Sequence, residues 1–289
     1  MQESGSSLNQ SDLLPNKEIV TQINIGSFAS PENSNELENG DNVYVDKLDG
    51  RYTILCDGTS DCRSDSEASK TGVEEISSRL SSFEPKSSDM AKMIVRRSIV
   101  QASEILKQKG LSSTASVCYI FYPPENPSEP ELIIGNCGDS RVYAYDENNQ
   151  EITQLTRDDN QIYNDKNLSE SDADRIQLEI NEATSFDQLS DIAKVYFQHR
   201  RYVSNCLGNE GCKPHIYFKK LKPGMTIVMG SDGPFDNLSN EQLKNILKKQ
   251  LSAKETAHEI VLEGKMQSRN PDNFRHKPDD GSSIVIKIK

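Results

Sequence analysis

Apolar and polar positions begin to alternate near Gln22, after a polar, Ser- and Asn-rich opening (MQESGSSLNQSDLLPN) with little to bury, so residues 1–20 read as a loose tail and 21–289 as a single domain. The runs NVYVDK (42–47) and RYTILC (51–56) are β-branched and aromatic, and the Leu-Asp-Gly between them predicts a tight hairpin. A turn centred on Asp49 and Gly50 sets Asp41 within about one residue of facing Asp57. Helical spacing follows from Ser66 to about Leu80 and from Asp89 to about Lys109, where Gly110 stops it. Strands are predicted at 115–122, 131–137, 141–145 and 151–155. The acidic stretch from Asp158 to about Arg201, with helical patterns after Ser169 and Ser185, reads as an insertion over one sheet edge. Further strands are predicted at 216–220, 226–230 and 283–288, with helices at 240–249 and 253–265 between the last two. Strand meanders with helices grouped after the first hairpin and before the last strand give an α+β class, antiparallel sheets covered by helices.

Composition narrows the partners. The chain has 289 residues, a net charge of −12 and only 34% hydrophobic residues, so much of it is solvated surface. Its acidity and the lack of any Lys/Arg run longer than a pair argue against nucleic acid and anionic membranes. No apolar stretch approaches the ~20 residues that cross a bilayer, and the N-terminus carries no leader pattern. A soluble, cytoplasmic monomer is the expectation. Cys56, Cys62, Cys118, Cys137, Cys206 and Cys212 lie mostly in or beside apolar runs, which suits reduced, packed thiols better than metal ligands.

Three acids stand out because each meets a strand end beside a glycine. Asp57 and Asp232 follow apolar strands and Asp280 precedes one. Taken singly, an Asp-Gly pair is more often a turn than a ligand. Taken together, and with Asp41 opposite Asp57, acids gathered on one rim repel each other and call for a cation between them. Carboxylates without His or Cys suit Mg²⁺ or Mn²⁺.

Six stretches, LCDG (55–58), SSTASV (112–117), GNCGDSRVYAY (135–145), SNCLGN (204–209), GSDGPFDNLSNEQL (230–243) and KPDDGSSIVI (277–286), resemble, in order, the signature blocks of the metal-dependent type 2C serine/threonine protein phosphatases. The resemblance implies a four-layer αββα sandwich and two Mn²⁺ or Mg²⁺ ions that activate a water for attack on phosphoserine or phosphothreonine of a protein substrate. It implies Asp57 bridging both ions, the Gly58 carbonyl on one, Asp232 and Asp280 on the other, and Asp41 at the second metal. Asp139 would stand behind the ligands, and Asp279 is the fallback for Asp280. Arg141 would pin its turn rather than bind phosphate. The histidines, His199, His215, His258 and His276, lie outside the blocks and are expected to be surface or structural, His276 keeping some claim as a proton donor.

The chain also departs from the family pattern. The metal loop reads DGTSD, with Thr59 at the usual His or Met and a new acid, Asp61. Gly40 stands where the family has glutamate, and Glu36 where it has an arginine for the substrate phosphate. The acid preceding the SST block is replaced by Lys109 or Gly110, and SNCLGN lacks the family's arginine and aspartate. Two readings follow: an active phosphatase with a diverged periphery, or a pseudophosphatase that keeps the fold and acts as a regulatory protein-binding module.

Overall fold

Residues 23–30, 39–47, 50–59 and 64–289 are described by the structure, a computed structural model. The expected tail, the centre of the first turn, Glu36, Asp61 and Cys62 lie outside the described residues.

Among the described residues, ten strands form two antiparallel sheets. The first takes the order β1 (Ile23–Ser30), β10 (Gly281–Ile288), β9 (Met225–Gly230), β6 (Arg141–Asp146), β7 (Glu151–Gln154). The second runs β2 (Asp41–Val45), β3 (Tyr52–Asp57), β4 (Ala115–Phe121), β5 (Glu131–Cys137), β8 (His215–Lys220). Leu55, Cys118, Ile120 and Ile134 of one sheet face Val142, Ile227, Met229 and Ile284 of the other, so the central strands are buried on both faces and read as continuous apolar runs.

Helices cover the outer faces. Helices α1 (Asp65–Leu80) and α2 (Ser88–Lys109) pack on the second sheet through Ile76, Leu80, Val95, Ile99 and Leu106. Their starts are fixed by Ser64 and Ser87, whose side chains accept from the backbone N–H of Glu67 and Met90. Helices α7 (Asn240–Leu247) and α8 (Ala253–Arg269) cover the first sheet, and both open with capping boxes, Ser239 with Gln242 and Ser252 with Glu255. The four layers are the αββα sandwich that the resemblance implies.

The segment 158–201 contains α3 (Gln161–Asn164), α4 (Glu170–Glu182), a 3₁₀ turn at Phe186–Gln188 and α5 (Asp191–Gln198). Ile176, Ile180, Leu189, Ala193 and Phe197 give it a small core of its own. It is tied to the sandwich where Gly138 N–H donates to Asp159 Oδ2 at 2.9 Å and Asp159 N–H to the Gly138 carbonyl at 3.0 Å. A short helix, α6 (Asp232–Asn237), follows β9 where the pattern predicts no element. With Gly and Pro inside six residues it has poor intrinsic propensity, and tertiary contacts hold it.

Candidate active site

The hairpin sets the first acids. Asp41 opens β2, Asp57 closes β3, and the two are direct partners across the ladder. The backbone of Asp57 is clamped: its N–H donates to Thr114 Oγ1 at 3.1 Å, and its carbonyl accepts from Thr114 N–H at 2.7 Å and Ser113 Oγ at 2.9 Å. Thr114 Oγ1 in turn lies 2.8 Å from Ser140 Oγ, in the turn that carries Asp139. The SST block thus works as the mount for Asp57. Gly58 sits against the start of α1, where a Cβ would fall 2.1 Å from the Asp65 carbonyl oxygen, so no side chain fits there.

The other sheet brings its acids to the same rim. Past the end of β9, Ser231 Oγ donates to Asp41 Oδ2 at 2.7 Å and accepts from Ser282 N–H at 3.0 Å, so one hydroxyl joins β2, β9 and β10. Asp232 begins α6, and a Cβ on Gly233 would lie 1.8 Å from the Asp280 carbonyl oxygen, which makes glycine obligatory at this approach. Of the neighbouring acids before β10, Asp280 accepts from the Gly40 N–H, on the β2 side, while Asp279 Oδ2 lies 3.7 Å from Lys277 Nζ. Asp139, 3% exposed, lies behind them.

Electrostatics mark this rim as a place for positive charge. Burial pushes the Asp41 carboxyl up to about 7 and the charge of Asp232 adds repulsion, against the hydrogen bond from Ser231. Asp57 is raised well above the usual carboxylate range by burial and by the charges of Asp41, Asp232, Asp279 and Asp139. Asp139 is raised by burial and by Asp232, and Asp279 reaches about 8 through burial and Asp232. Among the described residues, Asp41 Oδ1 and Asp139 Oδ2 are buried without a hydrogen-bond partner.

Two cations are already part of the structure. Arg141 is buried with Nε on Asp158 Oδ2 at 2.9 Å, Nη1 on the Phe235 carbonyl at 3.0 Å and Nη2 on Asp236 Oδ1 at 2.8 Å, so its donors pin the β6 turn to α6. Lys277, only 2% exposed, pairs with Asp232 and with Asp236 at 2.9 Å. Burial alone would discharge it, but the carboxylates of Asp232, Asp236, Asp279 and Asp139 hold its pKa well above the usual value. Against its own burial, Asp236 is held low by Lys277, Arg141 and Arg200. Lys277 and Asp236 lie inside the motif-bearing stretches KPDDGSSIVI and GSDGPFDNLSNEQL, with no role implied for them by the resemblance. The legible signal was the Asp232/Asp236 spacing, four residues on one helical turn, with a lysine just before the acid pair of the last block.

Among the described residues no three acidic, His or Cys side chains are arranged as a ready metal cage. The donor chemistry nonetheless fits one hard cation on the Asp41 side, where a buried carboxylate oxygen lacks a partner and burial raises the carboxyls of Asp41 and Asp57. On the Asp232 side the carboxylates already face an ammonium. Among the histidines, His215 Nε2 lies 3.1 Å from Asp159 Oδ1 and the His258 ring meets Phe28 edge-on at 4.4 Å, both structural contacts.

The sequence matches no protein-family model and no curated relative. Its fold does match solved structures. The serine/threonine phosphatase Stp1 from Staphylococcus aureus superposes with a TM-score of 0.71 at 18% identity, covering 95% of this chain and 98% of that one. The Mycobacterium tuberculosis serine/threonine phosphatase PstP gives 0.65 at 17% identity, over 92% of this chain and 99% of that one. A catalytic domain of PstP solved in complex with two manganese ions gives 0.64 at 18% identity, over 92% and 98%. With both sheets, their helical covers and nearly the whole length matched, this chain has the fold of the metal-dependent type 2C serine/threonine protein phosphatases.

Proposed function

We propose that the protein is a phosphatase that removes phosphoryl groups from phosphoserine or phosphothreonine in protein substrates with the help of Mn²⁺ or Mg²⁺. The observation that carries this reading is the pair of buried, unpartnered oxygens on Asp41 and Asp139 among acids crowded onto the rim of this particular fold. Asp57, Asp41 and the Gly58 carbonyl would hold a cation on one side, with Asp232 and either Asp279 or Asp280 on the other. Ions of this kind supply charge neutralisation at phosphoryl oxygens and activation of water.

The chain's own residues do the positioning. Thr114 and Ser113 fix the Asp57 backbone, Ser231 orients Asp41, and the Arg141 and Lys277 pairs hold α6 so that Asp232 stays on the rim. A cation held at Asp41, whose carboxyl is raised to about 7, would release that carboxyl's proton, so binding should acidify a weakly buffered solution. The insertion, tied to the Asp139 turn through Asp159, stands where it can select among phosphoproteins.

A second reading, a pseudophosphatase acting through protein binding, is favoured by one observation: Lys277 already supplies positive charge to Asp232. Hydrolysis of p-nitrophenyl phosphate and of a phosphothreonine peptide in Mn²⁺, Mg²⁺ or EDTA separates the two. The enzyme reading expects turnover only with metal, and Asp57→Asn should lower it by more than the roughly 100-fold typical of residues behind the ligands. Turnover that persists in EDTA, or none with Mn²⁺ from folded protein, overturns it.

A further inference from the structure

We infer that the Lys277 ammonium is a resident cation that takes the place of one of two divalent ions, so that the chain binds a single Mn²⁺ or Mg²⁺, on the Asp41/Asp57 side. The inference rests on the phosphatase reading for where ions would sit, and is independent of whether turnover occurs. The ammonium meets Asp232, Asp236 Oδ2 at 2.9 Å and Asp279 Oδ2 at 3.7 Å. These include the acids that the binuclear reading assigns to the second ion.

The lysine is built into this position. Its N–H donates to Asn237 Oδ1 at 2.9 Å and its carbonyl accepts from Asn237 Nδ2 at 2.8 Å, and Asn237, fully buried, is the last residue of α6. The lysine backbone is therefore fastened to the same short helix that carries Asp232 and Asp236, and the side chain closes a ring of charge with its own mount. A divalent ion on Asp232 would have to displace an ammonium that is desolvated, anchored and already neutralised, or sit against its positive charge. On the opposite side, among the described residues, Asp41 Oδ1 is buried without a hydrogen-bond partner. Lys277 and the Asp41 side thus divide the rim into a permanently filled half and a half that accepts an exchangeable ion. Folding of α6 is freed from metal, and loading is confined to one position.

The test counts Mn²⁺ on the full-length chain after EDTA stripping, by equilibrium dialysis and by the Mn²⁺ spin-resonance spectrum, beside Lys277→Met and Lys277→Arg. Wild type and Lys277→Arg should bind one uncoupled Mn²⁺. Lys277→Met should bind two, with a spin-coupled spectrum, and should melt roughly 10 °C lower than wild type in EDTA, with the loss reversed by Mn²⁺. Two coupled ions on wild type, or no additional ion on Lys277→Met, overturns the inference. If Lys277→Met does not fold in EDTA, the count on wild type and Lys277→Arg decides alone. One ion on wild type without turnover keeps the lysine assignment and removes the phosphatase reading, while turnover with two coupled ions does the reverse.

Discussion

Burial of Asp41 gives a pH dependence whose sign runs opposite to that of ordinary surface acids. The folded-state pKa of Asp41 is raised to about 7, so the stability linked to this group is fully present below its unfolded value and is lost as pH rises through the folded value. Within that window the native state holds a proton that the unfolded chain has released, and stability falls by about 1.4 kcal/mol per pH unit, or about 2 kcal/mol between about pH 5 and about pH 7. For a chain of this size the fall corresponds to roughly 4–8 °C in melting temperature. Calorimetry in EDTA across this range, on wild type and Asp41→Asn, isolates the effect as a difference between proteins, cancelling all other titrations. Asp41→Asn should have a slope shallower by about this amount, the raised Asp57, Asp139 and Asp279 keeping theirs, and should melt higher than wild type near neutral pH, while Mn²⁺ should stabilise wild type increasingly as pH rises. Equal slopes for the two proteins in EDTA would refute the claim that buried, mutually repelling carboxyls crowd this rim.

Removing Arg141 tests the other half of the electrostatics. Arg141→Met leaves Asp158 and Asp236 buried with one cation fewer, and should cost about 3–5 kcal/mol, read as a lowered denaturation midpoint. If Arg141 were a phosphate ligand instead, this variant would keep its stability and lose substrate affinity. Gly233→Ala drives a methyl into the Asp280 carbonyl at 1.8 Å, so it should unfold the protein or push the Asp279/Asp280 segment away and abolish Mn²⁺ binding; a stable variant with unchanged Mn²⁺ affinity would show that this approach is dispensable.

What each part of the chain could say for itself is uneven. Strands β3, β4 and β9 were legible because they are buried on both faces and therefore continuous in apolar residues. Helices α1, α2, α7 and α8 announce themselves through serine caps and period, and the predicted ends fall within a few residues of those observed. The pairing of Asp41 with Asp57 follows from hairpin register, a local property. Helix α6 was illegible because its stability comes from Arg141, Lys277 and Asn237 contacts distant in sequence rather than from its own residues.

The sequence by itself thus determined most of the elements, the class and the set of acids at strand ends, since period, turn chemistry and register act over a few residues. Only the tertiary structure decided how those acids share the rim. Asp41 meets Ser231 from another sheet, Asp280 turns to Gly40, Asp279 turns to Lys277, and a buried ammonium stands beside Asp232. The physical reason is range: hydrogen bonds along a ladder are set by neighbours, whereas desolvation and charge depend on whatever the folded chain packs alongside, which no local pattern records.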